Sequence, residues 1–185
     1  MAFNLTTELT SIVENDSWML NILKIVRDLN LTDCWIGAGF VRNKIWDYKH
    51  NKERSLLNDI DVIYFDNNSF TKNGDFIIEA KLTNINSTIN WSVKNQFRMH
   101  TRNGHPPYKN CEHAISFWPE TATSIAIRIN TNNKIEFIAP YGLSDLFNLI
   151  VKPTPNFNLT VYRKRINEKS WRKKWPLLSF YNYIE

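Results

Sequence analysis

NDIDVIYFD, residues 58–66, is the most informative segment of this 185-residue chain. Its apolar run predicts a strand that is buried in the centre of a β-sheet. Because side chains alternate along a strand, Asp59 and Asp61 are expected on one face, with Cα atoms about 6.5–7 Å apart. Two carboxylates that close repel each other unless a cation lies between them. Mg²⁺ or Mn²⁺ binds such a pair, and water and phosphate oxygens complete its ligand shell.

Two other interpretations of this acidic pair stay open. The aspartates could lie at a loop edge, where they cap the chain or are simply solvated. The apolar residues that follow favour the metal hypothesis, because acids that lead into a buried strand need a compensating charge. A glycosyltransferase would also use Asp-x-Asp with a metal and a nucleotide sugar, but the small size and the glycine turn described next argue against it.

A second signal lies about twenty residues before the aspartates. Residues 33–36 predict a strand, Gly37-Ala38-Gly39 a turn, and residues 40–48 a helix. Small residues in such a turn let backbone N–H groups approach a phosphate, and the helix N-terminus adds the positive end of its dipole. The alternative is that the glycines are needed for steric reasons alone.

The remaining segments complete an α+β (mixed α/β) pattern. Apolar periodicity predicts one or two helices over 9–29, and further helices over 75–82, 143–151 and 159–174. A strand is predicted at 91–93, a loop over 102–107, and a hairpin with strands 124–129 and 134–138. We therefore expect a single domain over residues 1–185, with a central mixed sheet flanked by helices.

The net charge of +5 is concentrated in a basic C-terminal helical segment, residues 156–185. Such a segment could grip RNA, or it could dock on the domain with a solvated basic face. The apolar residues at 175–178 favour docking.

The location expected from the sequence is cytoplasmic. No apolar run approaches the roughly 18 residues that span a bilayer, and no signal peptide is evident. Cys34 and Cys111 make a poor disulfide framework, so we expect both to be reduced and buried.

These motifs together carry a resemblance. GAGFVRNKIWD (37–47) followed by NDIDVIYFD resembles the nucleotidyltransferase superfamily that includes DNA polymerase β and the CCA-adding enzymes. With WSVKNQFRMHTRNG (91–104), FWPETAT (117–123) and IAPYGLSDLF (138–147), the chain is similar to a bacterial family of small nucleotidyltransferase-like proteins.

The resemblance implies a nucleotidyltransferase fold and activity. The reaction would be metal-dependent transfer of a nucleoside monophosphate from an NTP to an acceptor hydroxyl. The acceptor, which could be a small molecule, a protein or RNA, is left open, and neither a membrane nor a protein partner is implied. The alternative is a non-catalytic nucleotide- or RNA-binding module that retains the fold.

The resemblance also assigns site residues to the first half of the chain. Gly37 and Gly39 would form the glycine turn that faces the triphosphate, and Arg42 could reach a phosphate from the following helix. Asp59 and Asp61 would be the two metal-binding carboxylates.

Further site residues are expected later in the chain. The resemblance implies a third carboxylate on a later strand, and its candidate is Glu136, an acid flanked by apolar residues in the second strand of the hairpin. It would hold a second metal and help to deprotonate the acceptor. The block 94–100 is rich in cations and amides, and Lys94, Asn95 and Arg98 are its candidates for nucleotide binding. A surface strand and turn is the alternative for this block.

Overall fold

The computed structural model describes residues 4–68, 71, 73–155 and 157–181. The helices in this part are α1 Leu5–Glu14, α2 Ser17–Arg27, α3 Gly39–Lys49, α4 Asn73–Ile85, α5 Gln96–Asn103, α6 Cys111–Ile115, α7 Ser144–Phe147, α8 Leu159–Lys169 and α9 Trp171–Lys174. The strands are β1 Trp35–Gly37, β2 Ile60–Tyr64, β3 Trp91–Asn95, β4 Ala126–Ile129, β5 Ile135–Ile138, β6 Ile150–Val151 and β7 Ser179–Phe180. Residue 156 and residues 182–185 of the predicted basic segment lie outside the described residues.

A five-stranded mixed sheet forms the centre of the protein, with the strand order β3-β2-β1-β4-β5. β2 and β3 are parallel and are connected through α4, which packs on β3. β1 is antiparallel to both β2 and β4, and β4 and β5 form the antiparallel hairpin that the sequence predicts. The predicted α+β fold, a mixed sheet flanked by helices, is therefore confirmed.

The two faces of the sheet bury different sets of side chains. Val62 of β2 lies in the larger core together with Ile36 of β1. Ile63 lies on the other face, in a smaller cluster that contains Trp35 and apolar residues of α6. Because alternate residues share a face, Asp61 lies on the face of Ile63, at the beginning of the strand.

Packing and backbone conformation in the turn between β1 and α3 explain why its residues are small. A Cβ atom added to Gly37 would lie 2.6 Å from Cη2 of Trp118, so packing leaves no room for a side chain. Ala38 has a φ of +51°, a region that favours glycine. Gly39 begins α3, and a Cβ added there would remain 3.6 Å from the nearest atoms. The steric alternative therefore applies to Gly37, whereas the backbone of Gly39 stays accessible.

The block after β3 differs from the sequence prediction. Residues 96–103 form helix α5, whereas the sequence analysis predicts no helix here: it leaves a surface strand and turn as the alternative for 94–100 and predicts a loop over 102–107. The Asn95 side chain caps this helix by accepting a hydrogen bond from the N–H of Phe97 at 3.0 Å, and Gly104 ends it in the left-handed region. Within α5 only Gln96 is buried, and its two apolar residues, Phe97 and Met99, are two positions apart, a spacing that does not by itself indicate a helix.

Two of the C-terminal predictions also change. The helix predicted over 159–174 is divided at Ser170, whose φ of +52° separates α8 from α9. The helix predicted over 143–151 stops at Phe147, and Ile150 and Val151 instead pair in parallel with β7.

The turn gives a matched pair of variants. Gly37→Ala should lower the free energy of unfolding by about 1–3 kcal/mol, because its Cβ overlaps the Trp118 ring and lies 3.3 Å from the Ile125 carbonyl oxygen. Gly39→Ala should leave stability equal or slightly higher, since its Cβ has room at the start of a helix. Urea unfolding of both variants measures this difference, and equal stabilities would contradict the packing argument.

Candidate active site

A cavity of about 270 Å³ lies where α3 and β2 begin. Three parts of the chain line it: the start of α3 with Gly39 and Arg42, the segment from Leu56 to Asp61, and the C-terminal helices α8 and α9. The two aspartates and the Ala38-Gly39 part of the turn therefore face one space, and Gly37 does not line it.

Asp59 and Asp61 provide the acidic part of this cavity. Asp59 is exposed and directly precedes β2, and Asp61 is partly buried as the second residue of the strand. Burial, reinforced by the charge of Asp59, raises the pKa of Asp61 from 3.8 to about 6, although Arg42 and other polar neighbours oppose the shift. Within the described residues, neither aspartate forms an ion pair with a lysine or arginine.

Arg42 is held rigidly beside the carboxylates. It is 7% exposed, and its guanidinium carbon lies 5.1 Å from the ring centroid of Trp46 and 4.5 Å from that of Trp171. Its Nη1 atom donates to Oγ1 of Thr123 and its Nη2 atom to Oδ1 of Asn43, both at 2.9 Å. Aromatic faces and hydrogen bonds therefore fix the orientation of this cation.

The C-terminal helices dock against α3, which is the interpretation of the basic segment that the sequence analysis favours. Trp171 and Trp175 are buried and pack edge-on against Trp46, with ring centroids 5.3 and 5.1 Å away. The indole N–H of Trp175 also donates to Oδ1 of Asp47 at 2.7 Å. This docking brings part of the basic segment to the cavity.

Three basic residues of this segment line the cavity, and the sequence analysis did not assign them to the site. They are Arg165 and Lys169 of α8 and Lys174 of α9. Their charge was visible in the sequence, and the spacing of four residues between Arg165 and Lys169 places both on one side of a helix. The position of that helix was not visible.

Glu120 is a second residue that the sequence analysis missed. It is fully buried, its Oε1 atom accepts from Nε of Arg165 at 2.5 Å, and its Oε2 atom has no hydrogen-bond partner within the described residues. Burial lowers the pKa of Arg42 to about 10; the charge of Glu120 raises this pKa and that of Arg165 lowers it. One buried carboxylate therefore compensates two guanidinium groups.

Glu136 does not lie with the aspartates. It is in β5, and the strand order puts three strand spacings, about 14 Å, between β5 and β2. Its carboxylate accepts from Asn130 and Arg128, and these bonds hold its pKa below the usual value. The described residues contain no cluster of three or more His, Cys, Asp or Glu that could hold a metal ion. The sheet therefore separates Glu136 from the two aspartates, and this arrangement does not bring it to them as a third metal ligand.

Lys94, Asn95 and Arg98 also lie outside this cavity. Lys94 and Arg98 line a different cavity of about 700 Å³ beside α5, and Arg98 is paired with Asp75. Asn95 is fully buried at the far end of β3, where it pairs with Tyr64 and not with the beginning of β2. Asn95 and Arg98 make structural contacts away from the aspartates, and the nucleotide contacts expected of them stay predictions. Lys94 contributes a positive charge that lowers the pKa of Asp61.

Comparison with known proteins identifies the family. A family model described as "Nucleotidyltransferase" matches residues 24–180 of the chain. The chain belongs to this nucleotidyltransferase family. A solved NMR structure, described as revealing a CCA-adding enzyme head domain, is 36% identical, with a TM-score of 0.84 and coverage of 96% of both chains. No significant match was found among curated proteins.

More distant structures share the fold of this nucleotidyltransferase. A complex of a CCA-adding enzyme with CTP is 13% identical, with a TM-score of 0.61, and the match covers 96% of this chain and 43% of that one. A tRNA nucleotidyltransferase complexed with a primer tRNA and an incoming ATP analog is 15% identical, with a TM-score of 0.55 and coverage of 87% and 46%. The chain thus spans less than half the length of these two proteins.

None of the helices in the described part of the nucleotidyltransferase combines the length and apolar character that crossing a bilayer requires. Cys34 and Cys111 are both free and buried, in agreement with the sequence prediction.

The raised pKa of Asp61 predicts that the site destabilises the metal-free protein. Between about pH 4 and 6 the unfolded chain has lost this proton while the folded protein retains it, so stability falls as pH rises through this window. Asp61→Asn should therefore raise the free energy of unfolding at pH 7.5 by about 2 kcal/mol in EDTA, and the gain should vanish near pH 3.5. Urea unfolding at both pH values measures this, and an equal gain at both would contradict the assignment.

Removal of the Glu120 charge should lower stability, whereas removal of the Asp61 charge should raise it. Glu120→Gln should lower the free energy of unfolding by about 3 kcal/mol, because two guanidinium groups lose their shared buried counter-charge. The control is Glu112→Gln, which makes the same change at an exposed position of α6 and should alter stability by less than about 0.5 kcal/mol. Chemical denaturation compares them, and similar values for the two variants would show that Glu120 compensates no buried charge.

Proposed function

We propose that this nucleotidyltransferase transfers a nucleoside monophosphate from an NTP to an acceptor hydroxyl, with Mg²⁺ or Mn²⁺ held by Asp59 and Asp61. The observation that carries the proposal is the cavity, in which an accessible helix N-terminus shares one space with two carboxylates that form no ion pair with the described residues.

The carboxylates fit a divalent metal. Both are hard oxygen donors in one cavity, and the raised pKa of Asp61 reflects its burial and the charge of the neighbouring Asp59. Hard cations bind through one or two carboxylates and obtain their other ligands from water and phosphate. When bound, such an ion supplies charge neutralisation at the phosphates during phosphoryl transfer. Asp59 and Asp61 would orient it.

The start of α3 fits a phosphate group. The N-cap residue Ala38 provides no side-chain hydrogen bond, so the first N–H groups of the helix have no side-chain cap. Gly39 has no side chain to cover them, and Arg42 follows one turn later in the same cavity. Backbone donors, the helix dipole and a fixed guanidinium thus support binding of an anionic ligand here.

The acceptor hydroxyl must lose its proton during transfer. Asp59 and Asp61 are the two acidic residues among the described ones that line the cavity. Since Glu136 lies elsewhere, we expect one of these two aspartates to receive the proton.

The distant structural matches support a nucleotide as the donor. They include a CCA-adding enzyme with CTP and a tRNA nucleotidyltransferase with a primer tRNA and an ATP analog. At these identities they support the fold, so the acceptor of this chain stays open.

A second candidate function rests on the absence of a third carboxylate from the described lining. A nucleotide-binding module without turnover would need the metal and phosphate contacts but no additional acid. Nucleotide binding without product formation on any acceptor would favour this candidate.

Loss of either carboxylate should abolish transfer. Asp59→Asn and Asp61→Asn should each lower metal-dependent pyrophosphate release from labelled NTPs by about 100-fold or more, because the metal loses a charged ligand. The assay should offer RNA, protein and small-molecule acceptors with Mg²⁺ or Mn²⁺. Glu136→Gln, which removes a carboxylate outside the cavity, should retain the wild-type rate.

Two results would overturn the proposal. One is a wild-type rate in both aspartate variants. The other is calorimetry that detects neither Mg²⁺ nor Mn²⁺ binding, with or without nucleotide.

A further inference from the structure

The cavity has a basic side that belongs to the C-terminal helices. Arg165 and Lys169 are one helical turn apart on α8, and Lys174 comes from α9. Lys169 is exposed, and its amine has no ion-pair partner among the described residues. We call these three residues the basic wall.

The basic wall carries a surplus of positive charge near its buried end. Glu120 is the buried carboxylate beside it, and two guanidinium groups, those of Arg42 and Arg165, share its charge. The bond to Glu120 uses Nε of Arg165, so its two terminal nitrogens are the donors left for a ligand. An anion in the cavity would compensate the remaining positive charge.

The wall is held in place before any ligand binds. Trp171 follows the bend at Ser170, is 4% exposed, and its ring lies 5.6 Å from the guanidinium carbon of Arg165. The same ring contacts Arg42, so one indole orients both arginines. Side chains fixed in this way lose little conformational freedom when they bind.

We propose that the basic wall binds the polyphosphate chain of the nucleotide, and that buried Glu120 positions Arg165 for this contact; the inference rests on the proposed function. Guanidinium groups form paired hydrogen bonds with phosphate oxygens, and lysines add charge without a fixed geometry. Arg42 and the start of α3 would bind the same chain from another side of the cavity.

The test uses inorganic tripolyphosphate, which has the proposed chemistry but no base or sugar. Isothermal titration calorimetry of the full chain should show affinity about ten-fold lower for Arg165→Gln and several-fold lower for Lys169→Gln, because each loses a charge-assisted bond. The matched control is Arg163→Gln, on the same helix but outside the cavity lining, which should bind within about two-fold of wild type.

Folding defects are separated by two further measurements. Arg165→Lys keeps a partner for Glu120 and should still bind more weakly than wild type, because lysine cannot form the paired contact. Lys169 makes no described ion pair, so Lys169→Gln should unfold at the wild-type urea concentration.

The outcomes distinguish this inference from the proposed function. Unchanged tripolyphosphate affinity in Arg165→Gln and Lys169→Gln, or a loss of the same size in Arg163→Gln, overturns the basic wall even if NTP turnover is present. A loss of single-stranded RNA binding without a loss of tripolyphosphate binding also overturns it, since the wall would then serve a nucleic acid. The basic wall is supported, even if no turnover is found, when tripolyphosphate affinity falls most in Arg165→Gln, less in Lys169→Gln and not in Arg163→Gln.

Discussion

The carboxylate of Asp61 enters a partly buried cavity next to a second carboxylate, that of Asp59. Water solvates such a group incompletely, so its ionised form needs positive charge nearby. Arg42 and Lys94 supply part of this charge at a distance, yet the pKa of Asp61 remains near 6. Burial and the charge of Asp59 therefore outweigh these two cations at the position where a metal would bind.

Three packed tryptophans connect helix α3 to the C-terminal segment, so the site is formed by parts of the chain that are far apart in sequence. Trp46 comes from α3, and Trp171 and Trp175 come from the C-terminal segment. Their edge-on packing buries large apolar surfaces and holds α9 against α3. The C-terminal helices are for this reason a wall of the cavity as well as a covering of the fold. Loss of their docking would remove cations from the site and also expose Arg42.

In this cavity the acidic and the basic side chains come from different kinds of element. The acids lie at the beginning of strand β2, where the alternation of side chains sets their direction. The cations come from helices that pack beside this strand. A metal bound to a polyphosphate has a complementary distribution of charge, positive at the ion and negative along the phosphates. Glu120 offsets the repulsion between Arg42 and Arg165, and Asp61 adds a smaller favourable charge at Arg42.

The sequence by itself determined the elements whose signals are local. The alternation in residues 58–65 predicted β2 and the shared direction of Asp59 and Asp61, and the β4–β5 hairpin followed from alternating strands around a polar turn. The glycine turn and helix α3 were predicted for the same reason. What only the tertiary structure decided was which distant elements meet. Strand order placed Glu136 three strands from the aspartates, and docking of α8 and α9 brought Arg165 and Lys169 to them. Side-chain periodicity reports the direction of a residue relative to its own element, but the position of one element against another depends on packing that no short segment contains.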